Sequence, residues 1–215
     1  HLFRDFFGTE AMRAIFADEA LVGRYLDVEA ALARAQARLG IIPGEAAREI
    51  EAKAQREAID FARLKVETER VGYPILPLVR QIAERCADGL GEYAHWGATT
   101  QDIMDCAVVL QVRDALALVE RDLAAVSEAL ATLAARHRDT AMVGRTHLQH
   151  ALPITFGYKA AVWLSAIDRH RARLVEIKPR VLVAQFGGAA GTLASLGDKG
   201  LAVRKELAQI GRAHV

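Results

Sequence analysis

Cysteine, proline and aromatic residues are scarce in this 215-residue chain, and neither sign of charge prevails. Two cysteines, Cys86 and Cys106, are too few for a disulfide framework. Both fall in apolar helical patterns and read as small buried hydrophobes. A cytoplasmic setting fits that usage. The 28 basic side chains face 27 acidic ones, a formal net charge of +1, so no global field favours nucleic acid or an anionic membrane. No apolar run approaches the ~18 residues of a membrane span, and no secretory leader is visible. Aromatics make up 6% of the residues while hydrophobic residues reach 52%, with alanine and leucine prominent. That is the composition of packed helices rather than of sheets.

What is present is organised around one stretch. From Thr100 to about His137, apolar residues fall at Val109, Val112, Leu116, Val119, Leu123, Val126, Leu130 and Leu133. The spacing alternates three and four with no glycine or proline, which predicts a single long helix whose seam faces partner helices. At 1.5 Å per residue its length is about 55 Å. The polar run His95-Trp96-Gly97-Ala98-Thr99-Thr100-Gln101-Asp102 comes just before it. A second polar run, Gly144-Arg145-Thr146-His147-Leu148-Gln149-His150, comes just after. Both are expected to be loops. A rod of that length keeps the two runs of one chain out of a common pocket. If both serve one site, that site is assembled from different subunits.

Shorter helices are expected on either side. Asp18 to Leu39 carries an apolar face through Leu21, Tyr25, Val28, Leu32 and Ala35; Asp18 suits its cap and Gly40 stops it. Further helices are expected over about 45–58, 60–71 and 76–87, divided by Pro43-Gly44 and Gly72-Tyr73-Pro74. Pro153 is expected to open another long helix with apolar residues from Phe156 to Val181. His170 falls in its packing stripe, and Pro179 should kink it. A glycine-rich turn at 187–192 and a short helix over about 198–208 follow. The reading is all-α, with a helical region over 1–94 and a long-helix bundle over 95–209. The last six residues, Ile210 to Val215, abandon the helical pattern and match a translated sequencing-library adapter (ATC GGA AGA GCA CAC GTC). They are expected to be non-native, with the natural protein continuing beyond Gln209.

The first polar run places an imidazole, two hydroxyls, an amide and a carboxylate at a helix N-terminus. Thr99, Thr100 or Asp102 would cap that helix, but free N–H groups and hydroxyls there also suit a substrate carboxylate. His147 and His150 in the second run have no cysteine or acidic partner at metal-ligand spacing. The turn at 187–192 lacks both the Gly-x-x-x-x-Gly-Lys-Ser/Thr and the Gly-x-Gly-x-x-Gly patterns, which excludes nucleotide cradling.

Taken together, Gly97-Ala98-Thr99-Thr100-Gln101-Asp102 and Gly144-Arg145-Thr146-His147-Leu148-Gln149-His150-Ala151-Leu152-Pro153 resemble the first two conserved regions of the fumarase/aspartase superfamily. Phe16 to Ala20, Leu26 to Ala35, Gln149 to Gly157 and Gln185 to Ala194 look most like its 3-carboxy-cis,cis-muconate cycloisomerase branch. The resemblance implies a homotetramer on a central helix bundle, with each active site drawn from three subunits and no metal or organic cofactor. It implies proton transfer beside a carboxylate while the neighbouring carbon makes or loses a bond to oxygen or nitrogen. By position, His147 matches the acid/base histidine. Thr99, Thr100 and Gln101 match substrate-binding residues, His95 matches a substrate-contacting histidine of adenylosuccinate lyases, and Thr146 and Gln149 stand beside His147 as further polar contacts. The expected substrate is a polycarboxylate, with 3-carboxy-cis,cis-muconate lactonisation the leading reading. An adenylosuccinate-type C–N lyase or a non-catalytic structural member is the alternative. Two departures stand out. The cycloisomerase branch usually lacks a histidine at the position of His147. The His-Asp step of adenylosuccinate lyases near Gly72-Tyr73-Pro74 has no counterpart here, since no histidine falls between His1 and His95. A third superfamily region, a serine-bearing mobile loop, is also missing, so these 215 residues alone are expected to be inactive.

Overall fold

The computed structural model describes residue 3 and residues 5–209; the six-residue tail over 210–215 lies outside the described residues. The elements are α1 (Glu10–Ile15), α2 (Asp18–Arg38), α3 (Gly44–Lys53), α4 (Phe61–Val71), α5 (Ile75–Ala83), α6 (Thr100–Arg136), β1 (Ala141–Thr146), β2 (Gln149–Thr155), α7 (Phe156–Val181) and α8 (Gly200–Ala208). The fold is helical apart from one hairpin, and the long helix runs unbroken for 37 residues. Among the described residues no helix is long and apolar enough to cross a membrane.

Two compact units emerge, one of residues 1–114 with 181–215 and the other of residues 115–180. The first has the deeper core. Leu26, Leu32, Ile50, Ile75, Leu78, Ile82, Ile103 and Leu207 are all wholly buried. Each such side chain contributes roughly 1.5–3 kcal/mol by leaving water, so α2, α3, α5 and the start of α6 are held by one shared interior. Gly40 ends the α2 turn at φ 65°, and Gly72 ends α4 at φ 94°, both as the sequence predicts.

Several boundaries differ from expectation. The N-cap of α2 is Ala17, without a side-chain bond, and Asp18 is the first helical residue. It therefore acts on the helix dipole rather than as a cap. The helix α3 stops at Lys53, and a separate 3₁₀ turn occupies Arg56–Ala58. The last helix is likewise split, with a 3₁₀ turn over Ala194–Lys199 before α8.

In the second unit, the later part of α6 runs antiparallel to α7. Gly157 N–H donates to His137 O at 2.8 Å, Ser127 Oγ to Asp168 Oδ1 at 2.8 Å and Lys178 Nζ to Glu120 Oε2 at 2.5 Å. Helix α7 ends two residues after Pro179, which has no N–H to continue the ladder. His170 is exposed, its Nδ1 3.2 Å from Arg173 Nη1, and so is not a packing residue. Much of the apolar stripe is also uncovered: Trp163 is 48% exposed and Val175 66%.

At Gly157 a Cβ would fall 2.6 Å from Ala134 O and 2.7 Å from His137 O, both rigid backbone atoms. The mutation Gly157→Ala should therefore force α7 off α6 and destabilise by about 1–3 kcal/mol. Urea denaturation of the complete protein checks this, and an unchanged midpoint would contradict the packing described.

Candidate active site

The segment between Gly89 and α6 is fixed from two sides by three buried polar side chains. From α2, Glu29 Oε1 lies 2.6 Å from His95 Nδ1, and Gln36 Nε2 donates to Trp96 O at 2.6 Å. Glu29 and Gln36 are two helical turns apart and belong to one buried line, Val22, Leu26, Glu29, Ala33 and Gln36. From α6, the carboxylate of Asp102 accepts from Thr99 N at 3.0 Å, closing the first turn in the manner of a capping box. The same carboxylate accepts from Gly187 N at 2.8 Å and Gly188 N at 2.9 Å. Gly188 needs its glycine: it sits at φ 69°, and a Cβ would press to 3.0 Å from Gly97 O.

With Asp102 serving as the cap, the hydroxyls of Thr99 and Thr100 have no hydrogen-bond partner among the described residues. Nor do the first backbone N–H groups of α6, at Thr100 and Gln101. Gln101 lies on the exposed surface with its amide 2.5 Å from Asp105. The result is a cluster of donors at the positive end of a long helix, suited to an anion.

His95 lies five residues before α6, at φ 60° and with its side chain 19% exposed. Burial pushes its imidazole down, while the Glu29 carboxylate, aided by Asp102, pushes it up; the balance is above the ordinary imidazole value. Nearby, Cys106 Sγ donates to Gln185 O at 3.1 Å, and burial pushes its thiol up to about 11. It is therefore a neutral packing group rather than a nucleophile. A cavity of about 560 Å³ bordered by Gln185, Gly187, Thr192, Asp198 and Arg204 adjoins the glycine turn. None of His95, Thr99 or Thr100 lines it, so volume alone does not mark the site.

The second polar run is a β-hairpin rather than the expected loop. Its strands pair Ala141 with Thr155 and Thr146 with Gln149, leaving His147 and Leu148 as the two-residue connection. Both have positive φ, 34° and 61°, the condition of a type I′ turn that Asn-Gly ordinarily meets without strain. The register shifts between Val143 and Arg145, where a Cβ on Gly144 would stand 2.7 Å from Leu152 O. Thr146, His147, Leu148, Gln149 and His150 are all exposed. The hairpin belongs to the second unit, and His95, Thr99, Thr100 and Gln101 belong to the first.

Sequence reasoning missed Glu29, Gln36 and the second pair of bonds made by Asp102. The usable signal was two polar residues at core positions of an otherwise apolar helical line. No local pattern links Asp102 to a turn 85 residues later.

A family profile described as "Lyase" matches residues 7–214. Among curated relatives, trans-aconitate decarboxylase 1 of Mycosarcoma maydis is 50% identical over 96% of this chain and 42% of its own length. The 3-carboxy-cis,cis-muconate cycloisomerase of Pseudomonas aeruginosa is 48% identical over 97% of this chain and 46% of its own. A solved fumarate lyase from Mesorhizobium sp. BNC1 superposes with a TM-score of 0.91 at 61% identity, covering 95% of this chain and 48% of that one. The chain thus spans about half the length of the proteins it matches.

Replacing Asp102 with alanine strands three N–H groups at once. Each hydrogen bond to a charged group is worth about 1.5–3 kcal/mol, so Asp102→Ala should cost about 3 kcal/mol or more. Thermal denaturation reads this as a fall of several degrees. Hydrogen exchange should also quicken at Gly187 and Gly188.

Proposed function

This chain belongs to the lyase family, and on that premise we propose that the complete protein acts on an unsaturated polycarboxylate, moving a proton beside a carboxylate as a C–O bond is made or broken. The leading specific reaction is lactonisation of 3-carboxy-cis,cis-muconate. The observation that carries the reading is the donor cluster at the start of α6, where the Thr99 and Thr100 hydroxyls and unpaired N–H groups stand ready for an anion. Two relatives support the substrate class, since the 3-carboxymuconate and trans-aconitate in their names are both unsaturated tricarboxylates.

In the lactonisation one substrate carboxylate oxygen adds to an alkene carbon. The displaced electron pair moves to the neighbouring carbon and into the carboxylate attached there, and a proton delivered to that carbon completes the addition. Donors aimed at the carboxylate that receives the charge lower the barrier most. Thr99, Thr100, Gln101 and His95 are assigned to that carboxylate end, and Thr146 and Gln149 to polar contacts beside His147. His147, at the tip of an exposed hairpin, is assigned the proton transfer. Its strained turn is the kind of local cost that functional sites carry. Side chains and backbone donors suffice for this chemistry, and the reading calls for no cofactor.

We assign the two clusters to a site shared between copies in a homotetramer. A single helix of 37 residues, about 55 Å of rise, supports that division. The uncovered apolar side chains of α6 and α7, among them Val126, Trp163 and Val175, support burial against further helices.

The test uses the complete protein and the ultraviolet absorbance of 3-carboxy-cis,cis-muconate. Each of His147→Ala and Thr100→Ala should lower turnover by about 10²-fold or more. Co-expressing the two variants should restore activity that neither shows alone. Mixed oligomers as inactive as their parents would rule out the shared site, and full turnover by His147→Ala would rule out its role.

A further inference from the structure

Glu29 has no part in the proposed chemistry, yet it is a fully buried charged residue of the first unit. Its side chain is fully buried on α2, between Val28 and Ala30 in sequence and within an apolar line. One oxygen faces His95 Nδ1 at 2.6 Å, and the other, Oε2, is buried with no partner among the described residues. Gln36, on the same line, fixes the next backbone carbonyl, that of Trp96, so α2 grips two consecutive residues of the segment. His95 uses only Nδ1 in this grip. Among the described residues its Nε2 has no partner, and it is not a buried unpartnered atom, so it remains open to solvent. The charged groups acting on the ring are Glu29 from α2 and Asp102 from α6, both anionic, and Asp102 is already committed to three N–H groups.

We propose that Glu29 is a positioning residue that orients His95 and keeps its imidazole charged, so that Nε2 donates to an anionic group held at the start of α6. This rests on the polycarboxylate reading for the identity of the anion, but not for the state of the imidazole. A neutral histidine would offer one donor, already spent on Glu29 if Nδ1 carries the proton; a charged one keeps a second for the ligand. The ion pair also needs such a purpose, because two buried charges seldom gain net stability over apolar residues of the same size. The sign of its pH dependence follows from the raised imidazole value. Any stability the pair contributes is complete below the unfolded value of about 6.5 and fades as pH climbs through the folded one.

The experiment is a ¹³C-histidine titration of the complete protein, with the His95 resonance assigned by its loss in His95→Gln. The wild-type midpoint should lie above about 6.5, and Glu29→Gln should lower it by about one pH unit, a tenfold fall in the charged fraction at higher pH. Glu29→Asp, which withdraws the carboxylate by one methylene, should fall between them, and His147→Ala should leave the midpoint unmoved. A wild-type midpoint at or below the ordinary value overturns the proposal without any variant, so a misfolded Glu29→Gln cannot shelter it. Binding of tricarballylate, a saturated tricarboxylate, should weaken about tenfold at pH 7.5 in Glu29→Gln, the loss of one charge-assisted bond. A shifted midpoint with unchanged tricarballylate affinity overturns the donor role. If the wild type neither binds tricarballylate nor consumes 3-carboxymuconate, the functional reading fails, and the titration still decides the state of His95.

Discussion

One buried carboxylate holds the first unit to its working shape. Asp102 draws Thr99 N, Gly187 N and Gly188 N onto a single group, so the first turn of α6 and a turn 85 residues later share an anchor. A neutral acceptor would make weaker bonds, and three N–H groups converging on one anion resemble the arrangement by which proteins bind free anions. The consequence reaches beyond stability. Because Asp102 spends its charge inward on the cap and the glycine turn, the threonine hydroxyls and the first N–H groups of α6 have no partner among the described residues. The cap and the donor cluster are therefore one device, with the acid satisfying the protein and the hydroxyls left for a ligand.

The helices were largely legible because their patterns are strong and local. The three-four seam from Val109 to Leu133 specifies α6 without tertiary help, and Gly40 and Gly72 end their helices by adopting positive φ, as their backbone freedom allows. What was not legible depended on long-range partners. The hairpin hid behind polar residues because its connection is His147-Leu148 rather than Asn-Gly, and because Pro153 argues against a strand except at an edge, where β2 lies. His170 was expected to pack because it falls on an apolar period, but in a two-helix unit that stripe finds too little to cover it. Of the site residues, the polar runs were visible as runs. The period of α2 places Glu29 and Gln36 on its buried line, but only the fold shows what they bond, and the second partner of Asp102 lies 85 residues away.

The second unit shows how little a hairpin and two helices can bury. Ala160 and Gly157 are covered, whereas Tyr158, Val162, Trp163 and Val175 are exposed along the same helix. Close approach at Gly157 and side-chain bonds, among them Ser127 to Asp168 and Lys178 to Glu120, fix the pairing of α6 with α7, but they bury little apolar area. The register of the pair is thus set by backbone contact and polar bonds. The apolar side chains along α7 contribute little to that pairing and stay exposed.

The two units place their polar groups on opposite terms. In the hairpin, His147 is exposed and its turn carries backbone strain without burial, so its environment must come from whatever surrounds the tip. In the first unit, His95 is enclosed before any ligand arrives, and Glu29, with one oxygen unpaired, bears a desolvation cost that its single bond does not offset. A residue kept buried and charged at such cost is best understood through the group it acts on. Among the described residues, the group that Glu29 reaches is the His95 ring. The chemistry of that ring, rather than the stability of α2, accounts for a glutamate in the middle of an apolar line.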